Sequence, residues 1–347
     1  MQVAEPSAGF QELNQMVRSA GLLDLRAGRY IVRLVVNALF LGAGVAAFFL
    51  VGDSWWTLAV AAYLAFWRTQ SGFMWHDAGH KAMFDSKAAT TLMGYLHANL
   101  INGVSYGWWV NHHNRHHSFP NHLELDPDIA RRTVIFDISQ YPSRRGRQRL
   151  VVRHQGVLFF VLLVLEGLKL HRTAVRAVLA GNLKHRWTEA VLLLVHAGVV
   201  LGCLFTVLSP GKAVVFLLVH QALFGVYLGL LFAPNHKGMP VRSDEESLDW
   251  LERQVLTSRN IRPARWISFV YGGLNYQIEH HLFPTMPRGN LHRAAPIVKE
   301  YCARRGLPYL EVGMVASYRQ VARYLHEVSE PVRRGTTGPT RPAGQHA

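Results

Sequence analysis

The sequence predicts an all-α integral membrane protein, with four membrane-spanning helices in two hairpins beneath a cytoplasmic helical cap. Two observations carry that prediction. Half of the 347 residues are hydrophobic and only 17% are charged, and the apolar residues gather in four long stretches. The basic residues, which give a formal net charge of +15, fall almost wholly on one side of those stretches. A disordered or collagen-like chain is excluded by this composition. Two cysteines, Cys203 and Cys302, exclude a disulfide scaffold and a CxxC zinc site.

The first stretch, residues 34–51, carries only Asn37 as a strongly polar residue, and the second, 55–75, holds one charge, Arg68. The third, 190–208, holds none, and the fourth, 213–234, has only His220 and Gln221. A helix rises about 1.5 Å per residue, so roughly 20 residues match a hydrocarbon core about 30 Å thick. If residues 1–30, 74–186 and 235–347 share one side, that side holds 34 of the 37 lysines and arginines. Arg33 and Arg68 lie at span ends facing it, and only Lys212 falls on the other side. The positive-inside rule makes the rich side cytoplasmic, with both termini there. The charge is then a topology signal with anionic membrane lipid as its partner, and nucleic acid is not expected.

Residues 1–30 form a cytoplasmic N-terminal segment in which Phe10, Leu13 and Val17 recur at helical spacing, as in an amphipathic helix on the membrane surface. No basic n-region or early apolar core marks a signal peptide, so the first span is expected to act as its own anchor. Val157–Leu165 is apolar but too short to cross, and reads as interfacial or as part of the cap. The membrane domain is expected over residues 31–325. Residues 326–347, rich in Pro, Gly and Thr from Pro331 onward, read as a disordered tail.

Nineteen histidines are a large excess for this length, and three clusters lie on the predicted cytoplasmic side: HDAGH at 76–80, HHNRHH at 112–117 and QIEHH at 277–281. On a helix, residues i, i+3 and i+4 share a face. His76 and His80 therefore point together, His113, His116 and His117 present three imidazoles, and Gln277, His280 and His281 repeat that geometry. The neighbours His116 and His117 diverge by about 100°, so each can reach a different metal. Eight or nine ligands are too many for one tetrahedral zinc and suit two metals. Imidazole suits zinc, copper, iron or nickel alike, and HDAGH lacks the glutamate of the HExxH zinc proteases.

Taken in order, HDAGH, WWVNHHNRHHSFPNHLELDPDI, APNHKGMP and GGLNYQIEHHLFPTMPR resemble the membrane fatty-acid desaturase family. The nearest branch is the one with a glutamine opening the third box, the front-end-type acyl desaturases, and the resemblance runs over about residues 30–325. It implies four transmembrane helices under a cytoplasmic cap, two non-haem iron ions, and removal of two hydrogens from a long acyl chain by O2 and two electrons from an external donor. The ligands it implies are His76, His80, His113, His116, His117, His280 and His281, with Gln277 in the third box and His236 just after the last span. His112, Asn235, Asp77, Asp126, Asp128 and Glu279 are expected around these ligands, the carboxylates accepting from imidazole N–H groups.

The acyl substrate is expected on CoA, a carrier protein or a lipid. No fused cytochrome b5 domain with an HPGG motif is expected in the first thirty residues, so a separate ferredoxin or cytochrome b5-type donor would dock on the basic cap. Thirty arginines against seven lysines suggest a GC-rich bacterial gene, and hence the bacterial cytoplasmic membrane. Two alternatives stay open: an acyl-chain hydroxylase or other oxygenase of the same family, and, more distantly, a membrane haem b electron-transfer protein using the mid-span His196 and His220. An interhelical hydrogen bond is the other reading of those two. His97, His122, His154, His171, His185, His292, His326 and His346 are expected at surface or structural positions.

Overall fold

Residues 8–130, 133–243 and 248–336 are described by a computed structural model, and nearly all of its regular structure is helical. A short α1 (Ala8–Ser19) leads into α2 (Ala27–Val51) and α3 (Thr57–Gly79). Then come α4 (Lys87–Tyr95), a π-helical turn Leu96–Ile101, and α5 (Tyr106–Ser118). After α6 (Arg147–Arg153), α7 (Gln155–Leu162) and α8 (Glu166–Ala180), the long α9 (Arg186–Val207) and α10 (Pro210–His236) follow. The remainder is α11 (Trp250–Leu256), α12 (Arg265–Val270), α13 (Gln277–Leu282), α14 (Leu291–Arg304), α15 (Met314–Val328) and α16 (Glu330–Arg334). One parallel pair of two-residue strands, Asn260–Ile261 with Glu311–Val312, is the departure from an all-α chain among the described residues.

Three helices, α2, α9 and α10, are long and apolar enough to cross a membrane. Large apolar side chains stand exposed along α2 (Val32, Val35, Leu39) and α9 (Val191, Leu194, Val199). Such a surface suits lipid rather than water, because helices satisfy their own backbone polar groups. The chain is an integral membrane protein. The expected second span falls in α3, which has the length at 23 residues but not the apolarity. The run Arg68–Gln70–Ser71 lowers it, and those side chains are buried inside the bundle. α6 and the run Gln155–Ala180 meet at 111°, and the apolar Val157–Leu165 lies in that second arm.

Side-chain caps on backbone groups tie α2 to α3: the Asn37 amide donates to Trp67 O at 3.1 Å, and Phe40 stacks on Trp67 at 4.0 Å. The turns at the far ends also meet, since Asp53 accepts from the Ser209 backbone N–H at 2.9 Å and pairs with Lys212 at 3.2 Å. The centre of the bundle is α10, which packs on α3, α8 and Leu163–Leu165. Gly225 permits that approach, because a Cβ there would fall 2.6 Å from Leu163 O.

The amphipathic stripe of α1 does not lie on the membrane. Leu13 and Val17 are fully buried against Leu251, Ile278, Leu291 and Val298. The apolar face that sequence alone assigns to lipid is covered by α11, α13 and α14 instead. The C-terminal segment stays helical through Arg334, so the tail expected from residue 326 is ordered for its first part. Residues 337–347, with His346, lie outside the described ones.

Gly225→Ala should force Leu163 off the bundle and cost about 1–3 kcal/mol, the usual range for overpacking. Gly198→Ala, where a Cβ meets nothing within 4 Å, should leave thermal stability unchanged or slightly higher. Thermal unfolding of the two variants in detergent checks this, and equal midpoints would contradict the packing assigned to Gly225.

Candidate metal centre

Each histidine cluster is placed by the end of a helix. His76 lies in the last turn of α3, and His80 follows as its C-cap residue. α5 runs unbroken for 13 residues because Ser105 caps its start, accepting the Trp108 N–H. HHNRHH therefore keeps helical spacing throughout. His236 ends α10, and the six-residue α13 carries Gln277, His280 and His281.

The imidazoles converge into two adjoining groups. Ring nitrogens of His76, His80, His113 and His280 all lie within 4.8 Å of one another, as do those of His116, His236 and His281. His113 Nε2 is 2.9 Å from His80 Nε2 and 3.1 Å from His117 Nε2, while His116 Nε2 is 3.4 Å from His236 Nε2. The adjacent His116 and His117 thus face different groups, and His117 stacks on His281 at 4.2 Å. Burial first, and then repulsion among the rings, holds His80, His113, His117, His236, His280 and His281 well below the usual histidine range. Rings so held are neutral at physiological pH.

The outward nitrogens of four rings, His76, His116, His236 and His281, are engaged. His76 Nδ1 donates to Asp77 Oδ1 at 3.2 Å, and Arg288 Nε lies 2.8 Å from Asp77 Oδ2. Burial alone would raise the Asp77 carboxyl, but Arg288 and His76 outweigh it and hold it below its ordinary value. His116 Nδ1 donates to Asp126 at 3.0 Å, with Asp128 at 3.6 Å. Burial lowers His116, but the charge of Asp126 wins and raises it. Asp126 and Asp128, which with His116 form a third acid–histidine group, therefore act on the outer face of that ring. His236 Nδ1 donates to Thr257 O at 3.0 Å, and His281 Nδ1 to Gln254 Oε1 at 2.9 Å.

The inward atoms fit metal. His76 Nε2, His280 Nε2 and His281 Nε2 are buried without a hydrogen-bond partner, which is costly for polar atoms unless a cation takes the lone pair. An ion about 2.1 Å from each imidazole nitrogen would keep its ligand atoms within the spacing the two groups have.

Two expected residues, Glu279 and Gln277, are placed differently. Glu279 accepts from Asn260 at 2.8 Å and Tyr309 at 2.9 Å instead of from an imidazole, because a 100° step on α13 turns it away from His280. Burial, partly offset by these donors, pushes its carboxyl up to about 7. Gln277 turns its Nε2 towards His236 Nε2 at 2.9 Å. Its Oε1 accepts from Asn235 Nδ2 at 3.0 Å, and that amide is held in turn by Leu231 O and Leu274 O. Gln277 would need its amide reversed to present oxygen to a metal. His112 Nε2 points to Asp128 at 3.0 Å, away from both groups.

Gln254, Thr257 and Arg288 were not legible as partners: an isolated glutamine and a backbone carbonyl carry no pattern, and Arg288 is one arginine among thirty. Of the mid-helix histidines, His196 Nδ1 donates to Leu100 O and His171 Nδ1 to Gly103 O, each at 2.9 Å. Gly103 sits at φ +65°, and a Cβ there would lie 2.6 Å from His196 Nε2. His97 is buried with Ser71 Oγ at 2.7 Å from its Nδ1, and His220 stacks between Phe216 and Phe224.

A cavity of about 370 Å³ opens beside the two groups, with His76, His113 and His116 on one wall and Phe159, Leu163 and Leu228 on another. Residues 53–313, most of this architecture, match the fatty acid desaturase family. The chain belongs to that family. Among desaturases it is similar to an acyl-lipid (9-3)-desaturase of Physcomitrium patens, 30% identical over 92% of this chain and 62% of that protein. A Delta(5) fatty acid desaturase of Caenorhabditis elegans is 28% identical over 88% of this chain and 70% of its own length. A Delta 8-(E)-sphingolipid desaturase of Emericella nidulans is 27% identical over 93% of this chain. The chain spans 62% of the length of both the moss and the fungal desaturase.

His113→Ala should remove metal from the first group outright, whereas His112→Ala should keep it, with metal affinity down by at most about 10–100-fold. Gln254→Leu should fall in that same range through His281. Metal analysis of the purified variants checks this, and a larger loss for His112→Ala than for His113→Ala would contradict the geometry.

Proposed function

We propose that the chain is an O2-dependent acyl desaturase with a histidine-ligated pair of irons. The observation that carries this reading is the convergence of seven imidazoles into two adjoining groups, three of their ring nitrogens buried without a partner, set against a largely apolar cavity. The first iron would be held by His76, His80, His113 and His280 with His117 beside them, and the second by His116, His236 and His281 near Gln277. Neutral ligands leave most of the metal charge uncompensated, in contrast to glutamate-rich soluble di-iron bundles. Bound there, the pair would supply the oxidation in which two acyl hydrogens, O2, two protons and two electrons end as a double bond and two waters.

The residues of this chain then have distinct tasks. Phe159, Leu163 and Leu228 would hold the acyl chain by burial, at about 25 cal/mol per Å2 of apolar surface removed from water. Asp77, Asp126, Thr257 and Gln254 fix the tautomers of His76, His116, His236 and His281 by accepting from their outward N–H groups, so those four inward nitrogens keep their lone pairs. Trp109, stacked on His113 at 4.5 Å, holds that ring in place.

The topology proposed with this function has four spans, α2, α3, α9 and α10, in two hairpins joined by the Asp53–Ser209 contact, and a cytoplasmic cap. At 23 residues α3 is about 34 Å long, enough to cross, and its polar middle is shielded by α2 and α10. A separate donor, ferredoxin or cytochrome b5-type, would deliver electrons at the basic cap. Relatives named for fatty acyl, acyl-lipid and sphingolipid substrates support a long acyl chain as the substrate class.

Expression in a host without a desaturase should yield acyl chains lacking two hydrogens, read by mass spectrometry. A gained oxygen would point to hydroxylation instead. The purified chain should hold about two irons and show no Soret band. One zinc per chain, or a haem spectrum, would overturn the reading.

A further inference from the structure

A second, larger cavity of about 750 Å³ lies on the other side of α3 from the histidines. Thr69, Gly72 and His76 of α3 face the first cavity, while Gln70 and Met74 face this one, so the helix is the wall between them. Away from its rim the lining is mostly apolar, with Val32 and Val36 of α2, Trp67 of α3 and Phe269 of α12 alongside Asn37 and Gln70. Its upper rim is basic, with Arg33, Arg265, Arg288 and His292, and none of the described residues that line it is acidic.

The positive charge at the rim is in excess. Arg288 is already paired with Asp77, the one carboxylate that acts on both Arg288 and Arg33. Gly289 leaves room for Arg33 to lie over the loop, since a Cβ there would sit 3.0 Å from Arg33 Nη2. Arg265 and His292 are exposed. Cations above apolar walls are the complement of an amphiphile with an anionic head.

Depth points the same way, on the reading above that α2 and α3 cross the membrane. Arg33 stands one residue before the apolar run 34–51, at the water boundary. Trp266, 56% exposed beside Arg265, is the kind of residue that sits at headgroup level.

We propose that this cavity binds one anionic phospholipid that is not the substrate. Its phosphate lies against Arg33 and Arg265, with His292 nearby, and its chains run along Val32, Val36, Trp67 and Phe269. Arg288 links this lipid to the metal centre, because the same guanidinium holds Asp77 against His76.

Native mass spectrometry of the full chain, equilibrated in detergent with equal phosphatidylglycerol and phosphatidylcholine, tests this. The wild type should retain about one phosphatidylglycerol with a preference of about tenfold or more, since each arginine near the headgroup favours it several-fold. Arg33→Gln with Arg265→Gln should abolish the preference, and Arg265→Gln alone, at an exposed position, should reduce it. Glycerol phosphate at equal concentration should not displace the lipid, because the apolar walls contribute. Equal retention of the two lipids by wild type, a preference that survives the double substitution, or displacement by glycerol phosphate would overturn the proposal. Bound iron should be unchanged in both variants, so lost lipid preference with retained iron bears on this cavity alone, and a wild type without iron bears on the proposed function.

Discussion

Ring nitrogens of buried imidazoles face one another across about 3 Å at the heart of this protein. His113 Nε2 sits 2.9 Å from His80 Nε2 and 3.1 Å from His117 Nε2. Such a pair either shares a proton or, with both lone pairs inward, needs a cation between them. Every surrounding feature maintains that arrangement. Asp77, Asp126, Thr257 and Gln254 take the outward N–H groups of His76, His116, His236 and His281, so none of these four can turn its donor inward without abandoning an acceptor. The cost of so many polar rings in one place is offset by an apolar frame, in which α1, α11, α13 and α14 bury Leu13, Leu251, Ile278 and Val298 around the third cluster.

The helices bring these rings together by their ends. α3 and α10 stop at His80 and His236, and α5 and α13 meet them there. Close passage of α10 past Leu163 through Gly225 sets how near the cap arm comes to the bundle. That closeness shapes the cavity beside the histidines. Polar residues midway down α3, including Arg68 and Ser71, are tolerated because the bundle surrounds them.

Much of this could be read from residue spacing. The i, i+3, i+4 pattern of His113, His116 and His117 is a statement about one helix face, and a capped, unbroken α5 keeps that periodicity. Long apolar runs likewise needed nothing beyond length. What spacing could not reveal was orientation across elements. The stripe of α1 is equally compatible with lipid and with a cap, and only the position of α14 decides for the cap. Glu279 reads as a neighbour of His280 in sequence yet faces Asn260 and Tyr309. The Gln277 amide takes its direction from Asn235, which is anchored by the Leu231 carbonyl one turn back and by the Leu274 carbonyl 39 residues on. Backbone acceptors such as Thr257 O leave no mark on residue identity.

The most direct test of the account is the location of the metal itself. An iron-edge anomalous map of the purified protein should show two peaks, one among His76, His80, His113 and His280 and the other among His116, His236 and His281. A single peak, or a peak bound through Asp126 and Asp128 on the outer face of His116, would contradict it.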